Sequence, residues 1–178
     1  YKHTLNVKNM AVELALRYGA DPEKAALAAL LHDAAKELPR PEMLQIFKEN
    51  AIMAKNAEQR PFPVWHGIAA AILCMTRWGV ADPEILSAIE CHTTGKVNMS
   101  LLDKVLYMAD ATSAERDYPG VEQLRREQLQ DLDLATLHCM EQSIAVVRDK
   151  GGELDPETVA ACEDLRRRIA GHTVRPNT

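Results

Sequence analysis

Aromatic residues are scarce, 4% of 178, and no segment alternates apolar with polar side chains as a half-buried strand does. Both shortages argue against a β-rich fold. Basic residues are in the minority, 21 against 26 acidic for a formal charge of -5, which argues against nucleic acid or an anionic membrane as the main partner. The longest apolar runs, residues 25–31 and 68–75, fall far short of the ~20 residues that span a bilayer, and no charged-then-apolar leader opens the chain. A cytoplasmic protein is expected. The four cysteines, at positions 74, 91, 139 and 162, form no Cys-x-x-Cys pair and read as buried reduced thiols rather than a disulfide framework or a zinc site. The helical pattern is already running at Tyr1, so a few residues are expected to precede it.

What is abundant is alanine and leucine, a quarter of the chain, both strong helix formers. An all-α, single-domain bundle follows. The tripeptide Asp-Pro-Glu occurs at residues 21, 82 and 155; Asp supplies an N-cap acceptor, Pro at the first helical position loses no needed donor, and Glu favours the positive end of the helix. Two of these starts follow the stop signals Tyr18-Gly19 and Trp78-Gly79. Apolar periodicity between such signals predicts helices at about 1–18, 22–35, 41–50, 64–78, 83–92, 100–112, 121–127, 131–149 and 156–170. Ser100 to Asp103 resembles a capping box with Asp for the usual Glu. Residues 172–178 read as a flexible tail, and Arg166 to Arg168 as a solvated helix face.

The ionisable residues carry the chemistry. Residues 25–31 are apolar on every side, which predicts a fully enclosed helix, yet that helix runs directly into His32-Asp33. A buried carboxylate is expensive unless paired, hydrogen-bonded or bound to a metal. His3 lies in line with Val7, Met10 and Leu14; His66 continues the stripe Ala69, Ala70, Leu73; His92 ends Ile85, Ala88, Ile89; and Asp110 follows Leu102 and Leu106. Four histidines and two aspartates on five apolar stripes would need six separate remedies for desolvation, and one shared metal site answers them all. Such a set is too large for one closed tetrahedral zinc and suits two ions with open positions. Nitrogen and oxygen donors without thiolate fit iron, manganese, cobalt, nickel or zinc. Asp33 is the better bridging candidate, with Asp110 terminal on one ion. His138 and His172 read as ordinary surface or satisfied residues.

Lys36, three residues after Asp33, suits either a site cation or a solvated helix end. Arg116 suits bidentate phosphate contact or a surface pair with Glu115 or Asp117. Thr93-Thr94-Gly95 reads equally as a source of hydroxyls and amides for a ligand or as a plain helix-ending loop.

His3, His32-Asp33-Ala34-Ala35-Lys36, Trp65-His66-Gly67, His92-Thr93-Thr94-Gly95, and Asp110 closing Tyr107-Met108-Ala109 together resemble the HD superfamily of metal-dependent phosphohydrolases. With Arg116 and Pro119-Gly120-Val121, the pattern is similar to bacterial symmetrical dinucleoside-tetraphosphate hydrolases of the YqeK type, from residue 1 to about 133. The chain departs from the family at Ser113-Ala114-Glu115, where relatives carry Glu-Pro before the arginine. The resemblance implies an HD-domain helical bundle over residues 1–171, with the metal site inside 1–116 and covering helices over 121–171. It implies a dinuclear, iron-first centre on His3, His32, Asp33, His66, His92 and Asp110. Catalysis would rest on Asp33, Lys36 and Arg116, with Lys36, Thr93, Thr94, Gly95 and Arg116 as substrate contacts, and the reaction would be hydrolysis of diadenosine tetraphosphate to two ADP. Competing readings are another nucleotide phosphohydrolase of the superfamily, such as a deoxynucleotide phosphatase, and a catalytically silent nucleotide sensor. Apolar helical surface from Leu132 to Val147 is available to cover the bundle or a second copy in a homodimer.

Overall fold

The computed structural model of the chain describes residues 1–173. Its elements are α1 (Lys2–Tyr18), α2 (Pro22–Leu31), α3 (Arg40–Glu49), α4 (Ala51–Ala54), α5 (Trp65–Trp78), α6 (Pro83–Cys91), α7 (Leu101–Thr112), α8 (Val121–Glu127), α9 (Leu132–Asp149) and α10 (Pro156–Thr173), with 3₁₀ turns at 57–59 and 62–64 and no strand among the described residues. All three Asp-Pro-Glu joints start helices as the sequence predicts. Asp21 accepts from the Glu23 and Lys24 amides, Asp82 from Glu84 and Ile85, and Asp155 from Glu157 and Thr158. Gly19 (φ 80°) and Gly79 (φ 68°) close α1 and α5 in the left-handed conformation that only glycine adopts without strain. The Ser100–Asp103 capping box is complete. Asp103, fully buried, also takes the Ser87 hydroxyl (2.7 Å) and pairs with Lys96 (3.1 Å), so with the Ser100 amide its carboxylate is answered by three donors.

α2 packs on α1, α6 and α7, α5 packs on α6, and α9 packs on α7, α8 and α10. The small side chains of Ala25, Ala28 and Ala29 are fully buried and let α2 sit close to its neighbours. Three sequence expectations are corrected here. α2 is not enclosed: Leu27 and Leu30 are 40% and 45% exposed, because its neighbours cover only its alanine face. Nor does it reach residue 35. It stops at Leu31, and the chain continues in i→i+3 turns (Ala34 to Leu31, Lys36 to Asp33 and Leu38 to Ala35, 3.0–3.1 Å), a tighter winding that fans successive side chains about 120° apart. Helix α10 runs on through Thr173, into what reads as tail; the remainder of that tail, 174–178, lies outside the described residues, as does the side chain of His172. The four cysteines are free and buried, and Arg166 and Arg167 sit on an exposed face, Arg166 paired with Glu141. No helix of the described residues is long and apolar enough to cross a membrane.

Candidate metal centre

Five elements deliver the six side chains to one place. His3 comes from the first turn of α1, His32 and Asp33 from the tight turn ending α2, His66 from the start of α5, His92 from the residue after α6, and Asp110 from the last turn of α7. Asp33 stands at the middle. Its Oδ2 is 3.5 Å from His3 Nε2 and 3.4 Å from His32 Nε2, while its Oδ1 is 3.3 Å from His66 Nε2 and 3.6 Å from His92 Nε2. Asp110 Oδ1 joins the first group, 3.2 Å from His3 Nε2 and 3.9 Å from His32 Nε2. His66 and His92 bring their Nε2 atoms within 3.2 Å of each other in the second. The set thus divides into His3, His32 and Asp110 on one side and His66 and His92 on the other, with one oxygen of Asp33 for each.

The other ring nitrogen of every histidine is already held. Nδ1 donates to the carbonyl three residues back in His32 (Ala29, 2.7 Å), His66 (Pro63, 3.0 Å) and His92 (Ile89, 2.7 Å), and in His3 it bonds the Glu115 carboxylate. A carbonyl oxygen only accepts, so Nδ1 carries the proton and a neutral ring presents a lone pair at Nε2. Lone pairs of nitrogen and carboxylate oxygen then face one another across a few ångströms. His3 Nε2, His32 Nε2 and Asp33 Oδ1 are buried without a hydrogen-bond partner, and in two subsets, His3–His32–Asp110 and His32–Asp33–His92, one ligand atom from each residue lies within 4.8 Å of the others, close enough to share a cation. Orphaned, converging donors of this chemistry, each with its second nitrogen anchored, fit metal ions. Burial alone would raise the carboxyl pKa of Asp33, but the imidazoles of His32, His66 and His92 gathered around it outweigh burial and hold the group far below the usual carboxylate range. Asp110 is likewise held low against burial, by His3 first. His3 is raised, chiefly by Asp110, whereas burial lowers His92.

Lys36 Nζ is 2.7 Å from Asp33 Oδ2 and about half exposed. Arg116 holds Asp110 itself, Nε on its carbonyl (2.9 Å) and Nη2 on Oδ1 (2.5 Å), so the surface pair expected with Glu115 or Asp117 is replaced by one with a member of the centre. Of the loop after His92, Thr94 donates to the Gly95 carbonyl (2.8 Å) and the Gly95 amide to the Cys91 carbonyl (2.7 Å). The hydroxyl of Thr94 and the amide of Gly95 thus donate within the loop. Thr93 differs, its buried Oγ1 having no partner. His138 pairs with Glu127 (2.8 Å), away from the centre.

Three contributors escaped the sequence reading. Glu115 orients His3 and is itself held by Asn6 (2.6 Å) and Ser113 (2.7 Å). Burial would raise its carboxyl, but His3 first, then Ser113 and Asn6, lower it to about 2. Arg125 donates to the carbonyls of Thr112 (2.9 Å), Ser113 (2.7 Å) and Arg116 (2.9 Å), satisfying groups that the end of α7 leaves orphaned next to Asp110. Gly67 lets α5 approach α6: a Cβ there would lie 2.8 Å from the Glu90 carbonyl and 3.3 Å from His92 Nδ1. The signal for Gly67 was in view beside His66; Glu115 and Arg125 act across folds in the chain that no spacing rule reaches.

A helical bundle bearing four histidines and one aspartate around a second, shared carboxylate defines a class, and residues 1–115 match the family model described as HD domain. The chain belongs to the HD domain family. Among its relatives, the symmetrical bis(5'-nucleosyl)-tetraphosphatase of Bacillus subtilis is 39% identical over 158 residues, 89% of this chain and 84% of that protein. The protein of the same name from Halalkalibacterium halodurans is 34% identical over 93% of this chain and 88% of its own. A crystal structure from Clostridium acetobutylicum, titled as a predicted HD superfamily hydrolase involved in NAD metabolism, matches with a TM-score of 0.90 and 40% identity over 94% of this chain and 89% of that one.

Proposed function

We propose that the chain hydrolyses diadenosine tetraphosphate symmetrically, to two molecules of ADP, at a centre of two transition-metal ions. The observation that carries this reading is the division of Asp33, one carboxylate oxygen facing His3 and His32 and the other facing His66 and His92. His3, His32, Asp110 and Asp33 would hold one ion, and His66, His92 and Asp33 the other. Iron is the first assignment, from the family resemblance; manganese, cobalt, nickel or zinc suits the same donors. Bound cations at such a site supply Lewis acidity, lowering the pKa of water and neutralising phosphate oxygens. The protein's own part is to fix the donors: the carbonyls of Ala29, Pro63 and Ile89 and the Glu115 carboxylate hold all four rings with Nε2 inward. Lys36 and Arg116 add positive charge at the two carboxylates, which favours an anionic polyphosphate on a chain of net negative charge. The relatives named symmetrical bis(5'-nucleosyl)-tetraphosphatase support the choice of substrate.

The test is product analysis. Protein reconstituted with iron(II) or manganese(II) should convert each diadenosine tetraphosphate to two ADP, and Asp33→Asn should lose both turnover and metal. AMP plus ATP as products refutes the symmetrical assignment. Absence of turnover together with unchanged metal in Asp33→Asn refutes the centre. Preferential hydrolysis of deoxynucleotides across a nucleotide panel would assign the other phosphohydrolase reading, and tight nucleotide binding without turnover in the metal-replete protein would assign the sensor.

A further inference from the structure

Helix α10 lies outside the matched residues 1–115, yet it reaches back to both segments that carry His66 and His92. At its start, Asp155 is buried, its side chain 3% exposed, and receives two donors of Arg60, Nε on Oδ2 and Nη2 on Oδ1 at 2.7 Å each. Oδ1 also accepts from the Glu157 and Thr158 amides, so one carboxylate both caps α10 and grips Arg60. Further along, Ala161 and Met140 of α9 close over Gly95 in the loop after His92, where a Cβ would run into Met140 Cε and lie 3.2 Å from Ala161 Cβ. Asp164 accepts the Asn98 amide of the same loop at 2.9 Å. The Arg60 pair bears on His66. The Arg60 carbonyl takes the Trp65 indole N–H at 2.7 Å, and Trp65, buried, meets Phe47 and Phe62 edge-on with ring centroids 5.5 and 5.3 Å away. The same short segment supplies the Pro63 carbonyl that holds His66 Nδ1. Apart from the 3₁₀ turn at 62–64 it has no regular structure. A turn that short does little to hold itself, so a two-pronged charge pair is what removes its freedom.

We propose that Asp155 is a positioning residue for the metal centre: through Arg60 it fixes the segment from 60 to 65, and with it the direction in which His66 offers Nε2 to the ion shared with His92. Helix α10 is then a brace for one half of the centre. The other half does not lean on it, because α1, α2 and α7, which carry His3, His32 and Asp110, pack on one another while α10 packs chiefly on α9. This assignment rests on the two-ion centre proposed above. It gives the region beyond the matched residues a part in the chemistry without any contact to the reacting atoms.

Asp155→Asn tests the brace without removing the cap, since asparagine caps a helix as well as aspartate does but turns an amide N–H₂ toward Arg60 in place of an oxygen. In metal-free protein, NMR follows the exchange of ring Nδ1 protons with water. Exchange at His66 should quicken about three- to tenfold in Asp155→Asn and in Arg60→Gln, the worth of one neutral hydrogen bond, while exchange at His32 stays at the parent's rate. Cobalt(II) titrated into metal-free protein then reads the two ions by visible absorption, with His66→Asn supplying the spectrum of the ion on His3, His32 and Asp110 alone. The ion of His66 and His92 should bind about tenfold more weakly in each variant, the lower end of the range for groups that orient a ligand, and the other ion should keep its affinity. The double variant should be no worse than either single one, because both break the same link. Arg166→Ala, which breaks the exposed pair with Glu141 on the same helix, should match the parent throughout. Unchanged exchange at His66, or both ions weakened alike, overturns the assignment. A parent that takes up a single cobalt ion refutes the two-ion centre, and the exchange rates still decide the brace.

Discussion

Gly67→Ala is the smallest change that should dismantle half of the centre while leaving the fold. The added methyl would sit 2.8 Å from the Glu90 carbonyl and 3.2 Å from that of Ile89, where ordinary contact begins near 3.4 Å. The obstacle is backbone on a packed helix rather than a pliant side-chain end, so α5 and α6 must separate by about 0.6 Å, the shortfall at the closest of these contacts. Overpacking of this kind costs about 1–3 kcal/mol, against which alanine recovers up to about 1 kcal/mol of helix propensity. The net loss of stability should therefore stay within about 2 kcal/mol. The effect on the site should be larger, because His66 rides on α5 and His92 on the end of α6, with their Nε2 atoms 3.2 Å apart. Displacements of this order at a reacting centre cost up to about 100-fold. On the two-ion centre proposed above, metal analysis after dialysis should show the ion of His66 and His92 lost first, the stoichiometry dropping toward one per chain while circular dichroism keeps its helical signature. Parent-level stoichiometry and activity in Gly67→Ala would refute the argument that this glycine sets the spacing of the two histidines.

Asp33→Asn should lower activity by more than the roughly 10- to 100-fold typical of groups that only orient a ligand, and plasma emission should find fewer metal ions per chain. Glu115→Gln should lie inside that 10- to 100-fold range in metal affinity, measured by competition with a chelator, because it leaves every donor in place and weakens only the hold on His3 Nδ1. The Glu115 carboxyl is lowered to about 2 from its ordinary 4.5, so the stability it contributes is complete above pH 4.5 and is lost as the pH falls through 2. Urea midpoints of metal-free protein should accordingly decline across that window and decline less steeply in Glu115→Gln. Arg125→Lys should cost about 1.5–3 kcal/mol in chemical denaturation, since one ammonium cannot serve the carbonyls of Thr112, Ser113 and Arg116 together, and it should weaken metal binding through Asp110.

The helix starts were legible because they are local. An Asp-Pro-Glu joint caps its own helix with its own side chain, and the positions of α2, α6 and α10 follow from three residues each. The helix that ends early shows where local reading stops. Alanines continue the helical pattern to residue 35 in composition, yet the chain tightens after Leu31 so that His32 and Asp33, adjacent in sequence, both face the site. A uniform α-helical pattern carries no information about that overwinding, and the same pattern could not reveal that Leu27 and Leu30 stay exposed.

The site divides along the same line. The six converging side chains were legible because each ends or begins an apolar stripe, and an ionisable group in that position has to be answered by something. What holds His3 was not, since its signal lies in contacts between residues more than a hundred positions apart, Glu115 with His3 and Asn6. The departure at Ser113-Ala114-Glu115 illustrates the difference. In sequence it is only a break in the resemblance. In the fold, Ser113 donates to Glu115, which holds His3, while Arg116 holds Asp110. The segment that departs from the family pattern thus supports the centre through its own carboxylate and arginine.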